Sequence, residues 1–184
     1  MFRTPADLPA ALRSGLLFDG MSSDALEALL GAATVRRFGP GEVILCQGTV
    51  THNVWLIVEG RAEVVKEPEP GRPGKPVRLA ELGPGDTLGE MTLFDDEPHC
   101  TSVMSLSEVA TLKLSRSALE ELGWRRPDVA CRVVVNLVRI LSARLRRMDE
   151  WLGRLLDEHN VVVSEARWQS LRDRLQRDFL GVVR

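Results

Sequence analysis

GPGDTLGEMTLFDDEPHCTSVMSLSEVATLKL, residues Gly83 to Leu114, is the stretch on which the fold is read. Its opening Gly-Pro-Gly-Asp is turn chemistry, followed by Leu88-Gly89-Glu90-Met91 and a turn bounded by Pro98. Two runs then alternate apolar and polar residues, Thr101 to Val103 and Val109 to Leu114, the period of half-buried strands. The reading is a strand end feeding a very short helix. Gly89, lacking a side chain, lets the backbone come close to something. The first turn of that helix offers unpaired N–H groups, an expected anion site.

Working upstream, Thr34 to Val65 has the same period of two, punctuated by Gly39, Gly41, Gly48 and Gly60. Short strands with turn residues at such intervals predict a small all-β barrel or jelly roll. Residues 67–76, EPEPGRPGKP, are too rich in proline for a central strand, so they form the tip of a hairpin joining Ala62–Val65 to Val77–Leu82. Ahead of the barrel, Ser22 or Ser23 caps a helix that puts Leu26, Leu29 and Leu30 on one face. Residues 1–20 form a short helix, Ala6 to Arg13, or a loose arm.

Downstream, a short helix from Ser115 is expected to stop near Gly123. Pro127 and Asp128 then open a long one. Val134, Val138, Leu141, Leu145, Met148, Leu152 and Leu155 step by four and three, a heptad seam for pairing with a second helix. Leu137, Ile140 and Trp151 widen the stripe, so one side can pack on the barrel. About 30 residues at 1.5 Å each give roughly 45 Å, more than a small barrel is wide, which favours a parallel homodimer. Beyond His159, Trp168, Leu171, Leu175 and Phe179 share one face with four arginines interspersed, an amphipathic helix.

The motif Leu88-Gly89-Glu90-Met91 with Pro98-His99-Cys100-Thr101-Ser102-Val103, preceded by glycines in register at 41, 48 and 60, resembles the cyclic-nucleotide-binding domain of the CRP/FNR type over roughly residues 20–155. The resemblance implies a mainly β fold with flanking helices: a cyclic-nucleotide-binding jelly-roll barrel, a long C-terminal dimerisation helix and a short extra helix. The divisions are an N-terminal arm or short helix over residues 1–20, the barrel domain over 21–126, the long helix over 127–158 and the amphipathic helix over 159–184. The implied ligand site is Gly89, Glu90, Met91, His99 and Cys100. Glu90 stands where the family holds a ribose hydroxyl, and His99 stands where it grips the cyclic phosphate with arginine. Cys100 occupies a hydroxyl position.

Arginine offers two donors in a planar fork and keeps its charge; histidine offers one donor per ring nitrogen and titrates near about 6.5. Losing one partner of a buried charge pair costs about 2–5 kcal/mol. At about 1.4 kcal/mol per decade, affinity falls roughly thirtyfold to several thousandfold. Weak or no binding of cAMP and cGMP is therefore expected, with no other cofactor. Three readings follow: a dimerising scaffold with output through a protein partner, a sensor of another nucleotide or cyclic dinucleotide, or a haem or metal site drawn from Cys46, His52, His99 and Cys100. No ligand spacing supports the last. An enzyme is not expected, since no nucleophile or metal set accompanies Glu90 and His99.

The bulk composition, 44% hydrophobic and 27% charged over 184 residues, is that of a globular protein. Residues 1–124 carry 11 Lys and Arg against 18 Asp and Glu, and residues 125–184 carry 13 against 8, which predicts two surfaces with different partners. Three scattered cysteines form no zinc or disulfide framework. With no apolar leader and no long apolar run, a cytoplasmic location and no membrane contact are expected. Only about 25 residues follow the long helix. The family's winged helix-turn-helix does not fit there, so sequence-specific DNA binding is not expected.

Overall fold

The computed structural model describes residues 4–13, 15–68, 71, 73–158 and 169. The chain divides into two units, Met1–Ser142 and Ala143–Arg184. In the first, two four-stranded antiparallel sheets form a jelly roll. One has the order β1-β8-β3-β6, the other β2-β7-β4-β5, from β1 (Thr34–Phe38), β2 (Val43–Leu45), β3 (Asn53–Glu59), β4 (Ala62–Lys66), β5 (Val77–Leu82), β6 (Thr87–Leu88), β7 (Ser102–Ser105) and β8 (Val109–Ser115). The mainly β reading therefore holds, and the proline-rich segment joins β4 to β5 as the spacing predicts.

Strand β3 explains the architecture. Val54 to Val58 are all buried, so both faces of this strand are covered, and its sequence is a continuous apolar run. Its outer face, Val54, Leu56 and Val58, joins a cluster with the helices. Trp55 and Ile57 point between the sheets, into a second cluster with Leu45, Leu88 and Val103. Gly60 sits at φ 86°, where a Cβ would lie 2.0 Å from the Glu108 carbonyl oxygen. Only glycine lets β3 turn into β4 this close to the start of β8.

Helix α2 (Ser23–Ala32) starts as expected: the Ser22 hydroxyl accepts from the Ala25 N–H at 3.2 Å, and Leu26, Leu29 and Leu30 are buried. The N-terminal segment is neither one helix from Ala6 to Arg13 nor a loose arm. It forms a 3-10 turn, Pro5–Asp7, and a single turn of helix, α1 (Ala10–Arg13), which send Leu8 and Leu12 into the core. Pro9 between them has no N–H for a continuous helix.

After the short helix that follows β6, α3 (Glu90–Phe94), come α4 (Arg116–Arg125) and α5 (Pro127–Glu158). The expectation that α4 stops near Gly123 is corrected: it runs on to Arg125. Glycine late in a helix is tolerated, whereas Pro127 bars the residue before it from helical backbone. Arg126 there bridges Asp24 and Asp128, holding the Asp128 carboxyl below its usual range through its hydrogen bond.

One face of α5, Val129, Val133, Leu137 and Ile140, is buried in the outer cluster. Asn136, fully buried, donates through Nδ2 to the carbonyls of Leu17 and Asp19, each at 2.9 Å. Leu137 and Ile140 thus take the barrel-facing role that the stripe predicts, whereas Trp151, grouped with them, is exposed. Residues 159–184, read as an amphipathic helix, lie outside the described residues apart from residue 169.

Candidate functional site

Strand β6 pairs with β3 through Trp55–Leu88 and Leu56–Thr87. The next residue, Gly89, caps α3 in the left-handed region at φ 77°, and a Cβ there would lie 2.6 Å from the Asn53 carbonyl oxygen. The close approach expected of Gly89 is therefore to the chain's own strand β3. Helix α3 has only five residues. Glu90 (3% exposed), Thr92 and Leu93 turn inward, while Met91 (54%) and Phe94 turn outward.

Two contacts hold α3 down. The Thr92 hydroxyl donates to the Thr51 carbonyl at 2.6 Å. At the C-terminal end, Arg116 donates to the carbonyls of Leu93 and Asp95, each at 2.8 Å, and to the Asp96 carboxylate at 3.0 Å. A guanidinium there satisfies carbonyls that a helix end leaves without partners. His52 lies on the same rim, with Nδ1 3.1 Å from the Thr92 carbonyl and Nε2 3.7 Å from Asp96.

The return segment brings His99 in from the other side. Its N–H donates to the Thr49 carbonyl and its own carbonyl accepts from the Gly48 N–H, both at 2.9 Å. Its ring Nε2 lies 2.6 Å from the Thr51 hydroxyl. The ring is 7% exposed; burial lowers its pKa below the ordinary value of 6.5, opposed by the charge of Asp95. The imidazole is thus predominantly neutral at pH 7.

Cys100 is exposed, and its carbonyl accepts from the Lys66 ammonium at 2.7 Å. The next polar link is Ser102, whose hydroxyl donates to Glu67 at 2.7 Å and accepts from the Gln47 N–H at 3.0 Å.

Of the residues read as a site, the fold buries Glu90 and His99 and leaves Met91 and Cys100 exposed. Sequence reading passed over Thr51, Arg116 and Trp55. Thr51 is 48 positions from His99, and no local pattern marks such a pair. Of the metal candidates, Cys46 is exposed, and no group of three His, Cys, Asp or Glu residues gathers as a metal site among the described residues. Along α5, Val138, Leu145, Met148 and Leu152 are exposed; Val134 and Leu141 are half-buried. Leu155 lies in the helix, but its side chain is outside the described ones. No helix among the described residues is long and apolar enough to cross a membrane.

A roll of two four-stranded sheets, interrupted between its sixth and seventh strands by a Gly-Glu turn and a five-residue helix, is the jelly-roll fold of cyclic-nucleotide-binding domains. Residues 35–123 match the model of the cyclic nucleotide-binding domain, and the chain carries a domain of this family, of the CRP/FNR type.

The chain is 28% identical over 144 residues to the CRP-like cAMP-activated global transcriptional regulator of Mycobacterium tuberculosis, covering 78% of this chain and 61% of that protein. The crystal structure of Thermus thermophilus catabolite activator protein superposes with a TM-score of 0.66 at 29% identity, over 76% of this chain and 62% of that one. A cyclic nucleotide-binding domain from Methylobacillus flagellatus gives 0.69 at 25% identity, over 78% and 79%. The chain thus spans about three fifths (61%) of the length of the first curated relatives it matches.

Proposed function

We propose that this chain is a cytoplasmic, non-enzymatic regulatory module that holds cAMP and cGMP weakly or not at all. In this reading it pairs with a second copy through α5 and passes its output to a protein partner. The similarity to transcriptional regulators supports the regulatory role. The observation that carries the ligand reading is His99: standing, by the resemblance, where the family has arginine, it is buried and has its Nε2 engaged by Thr51. A buried cyclic phosphate requires a fixed positive charge, and a neutral imidazole bonded within the protein supplies none. The seam on α5 supports pairing, because Val138, Leu145, Met148 and Leu152 remain exposed while Leu137 and Ile140 are buried in the core.

Calorimetric titration of cAMP and cGMP at neutral pH into the full chain and the His99→Arg variant tests this. The expected result is weak or undetectable binding by the native chain and a gain of roughly thirtyfold or more with arginine. Micromolar or tighter capture of cAMP by the native chain overturns the reading.

A further inference from the structure

Helix α3 has five residues, too few to hold a helix in water unaided, so its position is set by what grips it. A helix end leaves its last carbonyls without helical partners, and here Arg116, the first residue of α4, supplies the donors. Its Nε donates to the Leu93 carbonyl at 2.8 Å. One terminal nitrogen serves the carbonyls of Asp95, at 2.8 Å, and Thr92, at 3.3 Å. The other terminal nitrogen donates to the Asp96 carboxylate at 3.0 Å. The backbone N–H of Arg116 donates in turn to the His52 carbonyl at 2.8 Å, just ahead of β3.

This grip needs a guanidinium. Arginine carries five N–H donors in a rigid plane and meets four acceptors here, whereas an ammonium has three donors at one point. The side chain is 30% exposed, so little water competes for these bonds. They also have little slack: starting from 2.8 Å, a displacement of roughly 0.7 Å takes a pair out of hydrogen-bond range. A larger shift of α3 therefore either carries the start of α4 with it or breaks several bonds together, the two discrete arrangements that coupling between elements requires. Beyond α4, its C-cap residue Arg126 bridges Asp24 and Asp128, the second residue of α5.

We infer that Arg116 makes α3 and the start of α4 one mechanical unit, so that a displacement of α3 is delivered to the helix that precedes α5. Arg116 is a positioning residue between two elements, and this role is independent of what the roll binds and of whether α5 pairs.

Amide hydrogen exchange on the full chain tests the coupling, with Thr92→Val as the perturbation. That variant removes the hydroxyl bonded to the Thr51 carbonyl and leaves every acceptor of Arg116 in place. Two amides report: Asp95, whose N–H bonds the Met91 carbonyl, and Glu120, one turn into α4. In the otherwise native chain, Thr92→Val should speed exchange at both, by factors within about threefold of each other. Arg116→Lys keeps the charge and loses the fork, and should by itself speed exchange at Asp95 at least about tenfold. Adding Thr92→Val to Arg116→Lys should then move Asp95 and leave Glu120 unchanged. Leu137, fully buried on α5, reports global opening. No response of Glu120 to Thr92→Val in the otherwise native chain overturns the coupling, and that arm needs no Arg116 variant to fold. An equal response of Glu120 in Arg116→Lys, or an acceleration at Leu137 equal to that at Glu120, overturns it as well.

Discussion

Thr51 Oγ1 and His99 Nε2 lie 2.6 Å apart, joining the loop before β3 to the segment that returns from α3. The same threonine accepts from Thr92 through its carbonyl. One residue thereby ties both ends of the cassette, and the histidine is held as part of the wall.

The burial of His99 makes stability depend on pH. Burial lowers the pKa of His99 in the folded chain below 6.5, so as pH falls through about 6.5 the unfolded chain takes up a proton before the folded one. The contribution is fully present above that pH and is lost towards the lower folded value. Urea denaturation at pH 7.5 and 5.5 should show a smaller fall for His99→Gln than for the native chain. An equal fall in both would remove His99 as the source.

Gly89→Ala should destabilise the domain by about 2 kcal/mol or more. It combines the left-handed penalty of about 1–2 kcal/mol with a clash against Asn53 O. The midpoint of chemical denaturation measures it. A loss below about 0.5 kcal/mol would mean that the turn relaxes without cost.

Asn136→Ala should cost about 1–3 kcal/mol, because the buried carbonyl of Leu17 and the part-buried carbonyl of Asp19 lose their donor. Arg139→Ala, which removes an exposed pair with Asp19, should cost at most about 1 kcal/mol. Thermal unfolding of the two variants side by side gives the contrast.

Pairing through α5 makes a separable prediction. Val138→Asp and Leu145→Asp alter exposed seam positions, 51% and 49% accessible, and should yield folded monomers by analytical ultracentrifugation. Leu137→Asp, at a fully buried position, should instead prevent folding, since it buries an unpaired charge. A native chain that sediments as a monomer would refute pairing itself.

The strands and their glycine turns were legible because period-two alternation and turn chemistry are local. So were the Ser22 cap, the inward faces of α2 and α5, and the Gly-Glu turn. Contacts that depend on distant pairs were not. Asn136 is 119 positions from Leu17, and an asparagine on a helix carries no sign that it will clasp an N-terminal turn. Leu8 and Leu12 looked like part of an arm because a proline separates them, and the surface they cover exists only after the barrel has closed. The identity of residue 99 was plain from the sequence, but its engagement with Thr51 is a property of the folded roll.

The strand from Asn53 to Glu59 has no wet side. Trp55 and Ile57 face the cluster between the sheets, and Val54, Leu56 and Val58 face the layer that holds Val133 and Leu137. The partition between the inner cluster and the helical layer is therefore a single backbone thick. A change in packing at Trp55 or Ile57 must therefore be absorbed on the far side within one residue of the strand.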